Sequence, residues 1–275
     1  STRWLESASG MPSVVRPWSD YQTPEFADTV AGITRRILEN NRASIEVLRS
    51  LTEGRRILLP QADGRGRPAR ISLRRPRVRV NIHYMVGNHD WYYHLPGARY
   101  DAIRQELVQA MGLSNPVSPF PHELRESGRL QDLLDRHRVY AQHGDLFDPL
   151  CYSADKGRNA ASLGDMLAVE ILNRFPLEAG RQLAGDLPAG FLESLHELAN
   201  IRPTLAAPLW ISSQLRQNNV SPAAQKKLKA IWDGLGREFL AQPYVKEMYR
   251  IDFKASTRSN LKRRSISLTY GCARN

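Results

Sequence analysis

The chain has 275 residues, 41% hydrophobic and 24% charged, with a formal net charge of +11. That length buries a sizeable core as one large domain or two smaller ones, and the balance is that of an ordinary globular protein. No apolar run reaches the roughly 18 residues of a membrane-crossing helix, nothing at the start resembles a signal peptide, and two cysteines, Cys151 and Cys272, make no disulfide framework. A reduced compartment is therefore expected, cytoplasmic with room for attachment at a membrane surface. The chain opens Ser1-Thr2-Arg3-Trp4 without an initiator methionine and ends in a weakly patterned basic run. Both features fit a fragment of a longer protein as well as a processed product.

Thr23-Pro24-Glu25 is a helix start, a capping hydroxyl followed by proline at the first helical position. Phe26, Val30, Ile33, Ile37 and Leu38 then recur at helical spacing, and Ile45, Leu48 and Leu51 continue it. One long helix, or two joined near Asn40-Asn41, ends at Gly54. A loop rich in Gly, Pro and Arg follows, with Arg65, Arg67, Arg70, Arg74, Arg75, Arg77 and Arg79 close together. Such a run attracts anionic partners, nucleic acid among them, or serves only as a solvated loop. Residues 77–86 alternate as a strand, with Val78, Val80, Ile82, Tyr84 and Val86 on one face. A helix over 98–111 carries Ile103, Leu107 and Met111, and a short one carries Leu130, Leu133 and Leu134. A second strand, residues 138–142, runs into His143-Gly144-Asp145. Beyond 150 helical patterns dominate, over 160–175, 187–199 and 221–241, with an irregular joint around Pro203, Pro208 and Trp210. The expected division is an α/β core over 1–150, a helical insertion or cap over 151–250, and a basic segment over 251–275 that includes Lys262-Arg263-Arg264.

Each strand ends in a polar cluster, Gly87-Asn88-His89-Asp90 and His143-Gly144-Asp145. Ligands of open α/β sheets gather beyond the carboxyl ends of strands, where such clusters converge. Asn88 can offer an amide oxygen to a hard cation and His143 an imidazole nitrogen to a transition metal. His89 can give a proton to a leaving group, with Asp90 holding its ring in one tautomer. Gly87 permits a tight turn.

GNHD after one strand and HGD after another resembles the calcineurin-like metallophosphoesterase family. That family runs D-x-H, G-D-x-x-D, G-N-H-[DE], a lone H and G-H-x-H along the chain. The resemblance implies a layered α/β sandwich with a helical insertion, incomplete in this chain. It implies Asn88 and His143 as metal ligands, and His89 and Asp90 as catalytic groups, with Gly87, Gly144 and Asp145 in support. The form HGDLFD is similar to the bacterial branch containing UDP-2,3-diacylglucosamine pyrophosphatases. Gly144-Asp145-Leu146-Phe147-Asp148 also satisfies G-D-x-x-D, but it follows GNHD where the family places that motif before it. His143 is therefore the expected ligand, and Asp145 and Asp148 are structural or supporting groups. No D-x-H precedes GNHD and no G-H-x-H follows His143. His196, in SLHEL, and His83 and His94, beside GNHD, match no family position.

The implied activity is hydrolysis of a phosphate ester or pyrophosphate by two divalent ions, Mn2+ first, with Fe, Zn or Mg as alternatives. Phosphorylated small molecules or lipid headgroups are the implied substrates. Asn88 and His143 alone fall short of the three or more protein donors that a stable site needs, so activity of this chain by itself is expected to be impaired. The alternatives are an inactive binding or scaffold module, and a nucleic-acid phosphodiesterase tracking the backbone with Arg65–Arg79. Lys156 and Arg158 are read as phosphate contacts or as ordinary loop charges.

Overall fold

The computed structural model describes Trp4, residues 15–68 and residues 75–252. Arg70, Arg74, Cys272, Lys262-Arg263-Arg264 and the chain's first three residues lie outside the described residues. The chain divides into two compact units: Ser19–Gly144, and a second unit in which Ser1–Trp18 joins Asp145–Asn275. No helix among the described residues is long and apolar enough to cross a membrane.

In the unit Ser19–Gly144, the Thr23 side chain caps helix α1 (Pro24–Asn40) by accepting from the Phe26 N–H, with Pro24 at the first position. The helical pattern breaks at Asn41, and α2 (Arg42–Thr52) follows as a separate helix. Helix α3 (Ala98–Met111) buries Tyr100, Ile103, Arg104 and Leu107, and stops at Gly112, whose φ of 70° is the left-handed cap glycine tolerates. Helix α4 (Gly128–His137) carries Leu130, Leu133 and Leu134, none of them fully buried.

Strand structure falls well short of the expected sandwich. Among the described residues there is one antiparallel pair, β1 (Ile57–Leu58) with β2 (Arg77–Val78), in the register Ile57 to Val78 and Leu58 to Arg77. The strand expected over 77–86 is paired only at its first two residues. From Val80 onward its main chain is still used alternately, as in a strand, but the partners are not strands. The Val80 N–H donates to the Leu51 carbonyl (3.1 Å), the Ile82 carbonyl accepts from the Ser114 N–H (2.7 Å), and the Val86 N–H donates to the Pro121 carbonyl (3.0 Å). Between them the Asn115 side chain imitates a strand, its Oδ1 accepting from the Tyr84 N–H (2.6 Å) and its Nδ2 donating to the Tyr84 carbonyl (2.9 Å). The strand expected over 138–142 is irregular chain: no strand lies beside it, and Arg138 turns through a left-handed φ of 52° at the end of α4. A layered α/β architecture is therefore not seen among the described residues, which are mostly helical.

The second unit is helical over its described residues. It comprises α5 (Leu163–Leu167), a π-helical turn Ala168–Asn173, α6 (Arg174–Leu183), α7 (Ala189–Ser194), α8 (Ala207–Gln217), α9 (Pro222–Ala241) and α10 (Pro243–Asp252). The helix expected over 160–175 begins at the Ser162–Asp165 capping box, and the joint expected near Pro203 is a short 3-10 turn, Thr204–Ala206, that leads into α8. Trp210 belongs to α8 itself. The core is Phe175 edge-on to Trp232 (5.1 Å), with Phe191, Leu195, Leu198, Ile211 and Leu228. Buried Glu170 in the π-helical turn receives Arg16 at 3.0 Å and Arg174 at 2.8 Å, so its charge is compensated on both oxygens.

Replacing Asn115 by alanine leaves the Tyr84 N–H and carbonyl without partners in a half-buried position. Asn115→Ala is expected to lower stability by roughly 2 kcal/mol, read as a reduced midpoint in urea unfolding.

Candidate functional site

The GNHD turn is built from its own carboxylate outward. Asp90 Oδ1 accepts from the Gly87 N–H at 2.7 Å, and its Oδ2 accepts from the Tyr84 hydroxyl. The loop from the end of the strand-like run to the next helical turn is thereby closed on itself. A 3-10 turn, Trp91–His94, follows, and its Trp91, Tyr92 and Tyr93 are all buried. Trp91 packs against Phe26 (6.0 Å) and Tyr21 (6.1 Å), while Tyr84 packs against Phe120 (5.4 Å) and Tyr93 (6.0 Å). Underneath, the fully buried Arg104 of α3 donates to the carbonyls of Tyr93 (2.8 Å) and Leu95 (2.7 Å) and pairs with Asp101. A guanidinium with its fan of donors suits this task, since two carbonyls at a turn end are otherwise unsatisfied.

The two motifs, 56 positions apart, meet. A Cβ placed on Gly87 would lie 2.4 Å from Nε2 of His143 and within 2.8 Å of Cε1, so the imidazole occupies the space a side chain would need. Gly87 is required for room, not for an unusual backbone angle. Gly144 is the reverse case: nothing crowds its Cβ position, but its φ of 88° lies in the left-handed region. Asn88 is buried, and its Nδ2 has no hydrogen-bond partner. His89 and His143 are exposed.

The remaining expected residues are held in structural pairs. Asp145, in the second unit, is buried and bonded to Arg158 at 3.0 Å, so Arg158 and Asp145 neutralise each other. Lys156 pairs with Glu247 at 2.5 Å and sits over the Tyr244 ring. Both cations that sequence left open as phosphate contacts are thus engaged within their own unit. Asp148 closes a turn, accepting from the Leu150 N–H at 2.8 Å, and with burial it helps push the Cys151 thiol up to about 11. His196 lies exposed. His94 bonds through Nδ1 to the Phe120 carbonyl (2.8 Å) and stacks on His122. His83 is half-buried, with its imidazole below its usual value from burial and then from the charge of Arg129. Arg65, Arg67, Arg75, Arg77 and Arg79 of the basic run are exposed.

The chain matches no protein-family model, no curated protein and no solved structure.

A divalent cation can be tested against the residues present. The unpartnered amide end of Asn88 is what a cation would satisfy once that amide turned to present its oxygen. His143, wedged on Gly87, brings an imidazole to the same turn. Two donors do not complete a coordination sphere, and among the described residues no group of three or more His, Cys, Asp or Glu side chains is placed to hold a metal ion. The residues present therefore fit part of a metal site and not a whole one.

Sequence reasoning missed Tyr84, Arg104 and Asn115 as supports of the turn. Tyr84 had been counted only as one apolar position in a strand, and Arg104 hides as a cation on an amphipathic helix. The aromatic run Trp91-Tyr92-Tyr93 directly after GNHD was the available signal that the turn sits on a buried base.

Two predictions follow from this packing. Gly87→Ala drives a methyl into the His143 ring, which should cost roughly 1–3 kcal/mol and shift the His143 imidazole signals while those of His196 stay in place. Gly144→Ala should cost about 1–2 kcal/mol through its backbone angle alone. The second prediction concerns alkali. Burial raises the Tyr84 phenol far above its usual value, with Asp90 adding to the effect, and burial pushes Tyr93 and Tyr100 up to about 12. Because the folded values exceed the unfolded one of about 10, the stability these groups confer is complete below that pH and is lost as pH rises above it. Phenolate absorbance from these tyrosines should appear together with unfolding, not ahead of it.

Proposed function

We propose that residues 80–144 carry part of a metallophosphoesterase-type site, for hydrolysis of a phosphate ester or pyrophosphate. The observation that supports this most is the contact between the two motifs: His143 fills the space that Gly87 leaves empty, with the unpartnered amide of Asn88 next in the chain. Two polar turns far apart in sequence have no packing reason to meet with an exposed imidazole and an orphaned amide at the junction. A site that takes a cation provides one. In this reading Asn88 and His143 are the metal donors, and His89, exposed beside them, gives a proton to the departing oxygen. Asp90 holds the turn through Gly87 and Tyr84, which fixes where Asn88 and His89 project. A bound divalent ion would supply charge neutralisation and an activated water. The wider reading places the unit Ser19–Gly144 as a partial core of the layered α/β sandwich and the helical unit as its insertion. Phosphorylated small molecules and lipid headgroups are the proposed substrate classes.

Because only two donors are present, the chain by itself is expected to bind Mn2+ weakly and to turn over bis-p-nitrophenyl phosphate poorly. Calorimetric titration should show that weak binding lost in Asn88→Ala and in His143→Ala and kept in His196→Ala. Tight two-ion binding with robust turnover would show that the donor set is complete, and equal binding by all four proteins would remove the site.

A further inference from the structure

The strand-like run over residues 80–86 has one satisfied edge and one open edge. In an extended chain the N–H and carbonyl of a residue point to the same side, and the side alternates from residue to residue. Every main-chain bond this run makes comes from an even-numbered residue: Val80, Ile82, Tyr84 and Val86 bond to Leu51, Ser114, Asn115 and Pro121. The main-chain groups of Asn81, His83 and Met85, on the opposite side, bond to nothing, although His83 and Met85 are half-buried. The Nε2 of His83 is likewise buried and without a partner. Half-buried main-chain groups in native proteins are rarely left unpaired.

We propose that this edge accepts an added β-strand, an acidic extended polypeptide segment that pairs with the main chain of Asn81, His83 and Met85. Donors and acceptors repeat along the edge about every 6.6 Å, twice the rise per residue of a strand. Another strand matches that repeat, and a compact ligand does not. The charge follows from the surroundings. Arg77 and Arg79 lie exposed at the start of the run, Arg129 is close enough to act on His83, and none of the three has a carboxylate partner. The net charge of +11 points the same way. A second run of the same unit has the same need. Tyr140, Ala141 and Gln142 make no main-chain hydrogen bond, and Tyr140 is 80% exposed. The two runs do not bond to each other, yet their ends meet where His143 covers Gly87. The inference stands on the hydrogen bonds and charges alone and does not need the phosphoesterase reading.

The test measures amide hydrogen exchange of the full chain at Asn81, His83 and Met85, with three ten-residue peptides as probes. One alternates valine and glutamate, one alternates valine and lysine, and the third is the glutamate peptide N-methylated at alternate residues. The glutamate peptide should slow exchange at these amides at least tenfold, and the other two should not. Asn81→Pro, which removes a donor the fold does not use, should weaken the protection at least fivefold without lowering the Tm. No protection by the glutamate peptide, or equal protection by the lysine or N-methylated peptide or by a single-stranded oligonucleotide, would overturn the proposal. Protection already present without peptide and rising with protein concentration would also overturn it, by assigning the edge to a second copy of the chain.

Discussion

The carboxylate of Asp90 ties the strand-like run to the turn beyond it, one oxygen taking the Gly87 N–H and the other the Tyr84 hydroxyl. The geometry of the candidate site depends on that closure. With Gly87 held from behind, its bare Cα faces His143, and the imidazole can lie against it. With Tyr84 held as well, its ring stays between Phe120 and Tyr93, and the aromatic base under the turn is continuous. The closure is protected by burial, because the Tyr84 phenol is kept protonated and continues to donate. Arg104 does the equivalent work one step further along, fixing the carbonyls of Tyr93 and Leu95 from the opposite side. The turn is thus rigid where it must position side chains, while His89 remains exposed.

That rigidity contrasts with the unfinished main chain around it. A run that leads into a rigid polar turn would ordinarily lie within a sheet. Here it leans on the end of α2, on the segment after α3 and on an asparagine side chain that stands in for a strand. The helical unit shows no such deficit: its buried acid Glu170 has a partner on each oxygen, and its core closes around Phe175 and Trp232.

Much of the local structure was legible in the sequence. The Thr23-Pro24 start, the break at Asn41, the helix over 98–111 and the short helix around Leu130–Leu134 all formed, because caps and helical spacing act within one element. The strands were not, since alternation in Val80–Val86 states what a strand prefers and cannot supply a neighbour to pair with. Of the site, Gly87, Asn88 and His143 could be singled out from residue type and spacing, and the structure brings Gly87 and His143 together. The roles of Tyr84, Asn115 and Arg104 could not, because each acts through a contact with a distant segment. Lys156 and Arg158 looked available for phosphate only until their carboxylate partners, Glu247 and Asp145, were placed.

The most direct measurement of whether the two motifs form one cation-facing site is paramagnetic line broadening by substoichiometric Mn2+. The account predicts that the Asn88 side-chain amide and the His143 imidazole signals broaden together and first, ahead of those of His94, His122 and His196. Broadening of only one of the pair, or of residues elsewhere while both stay sharp, would contradict it.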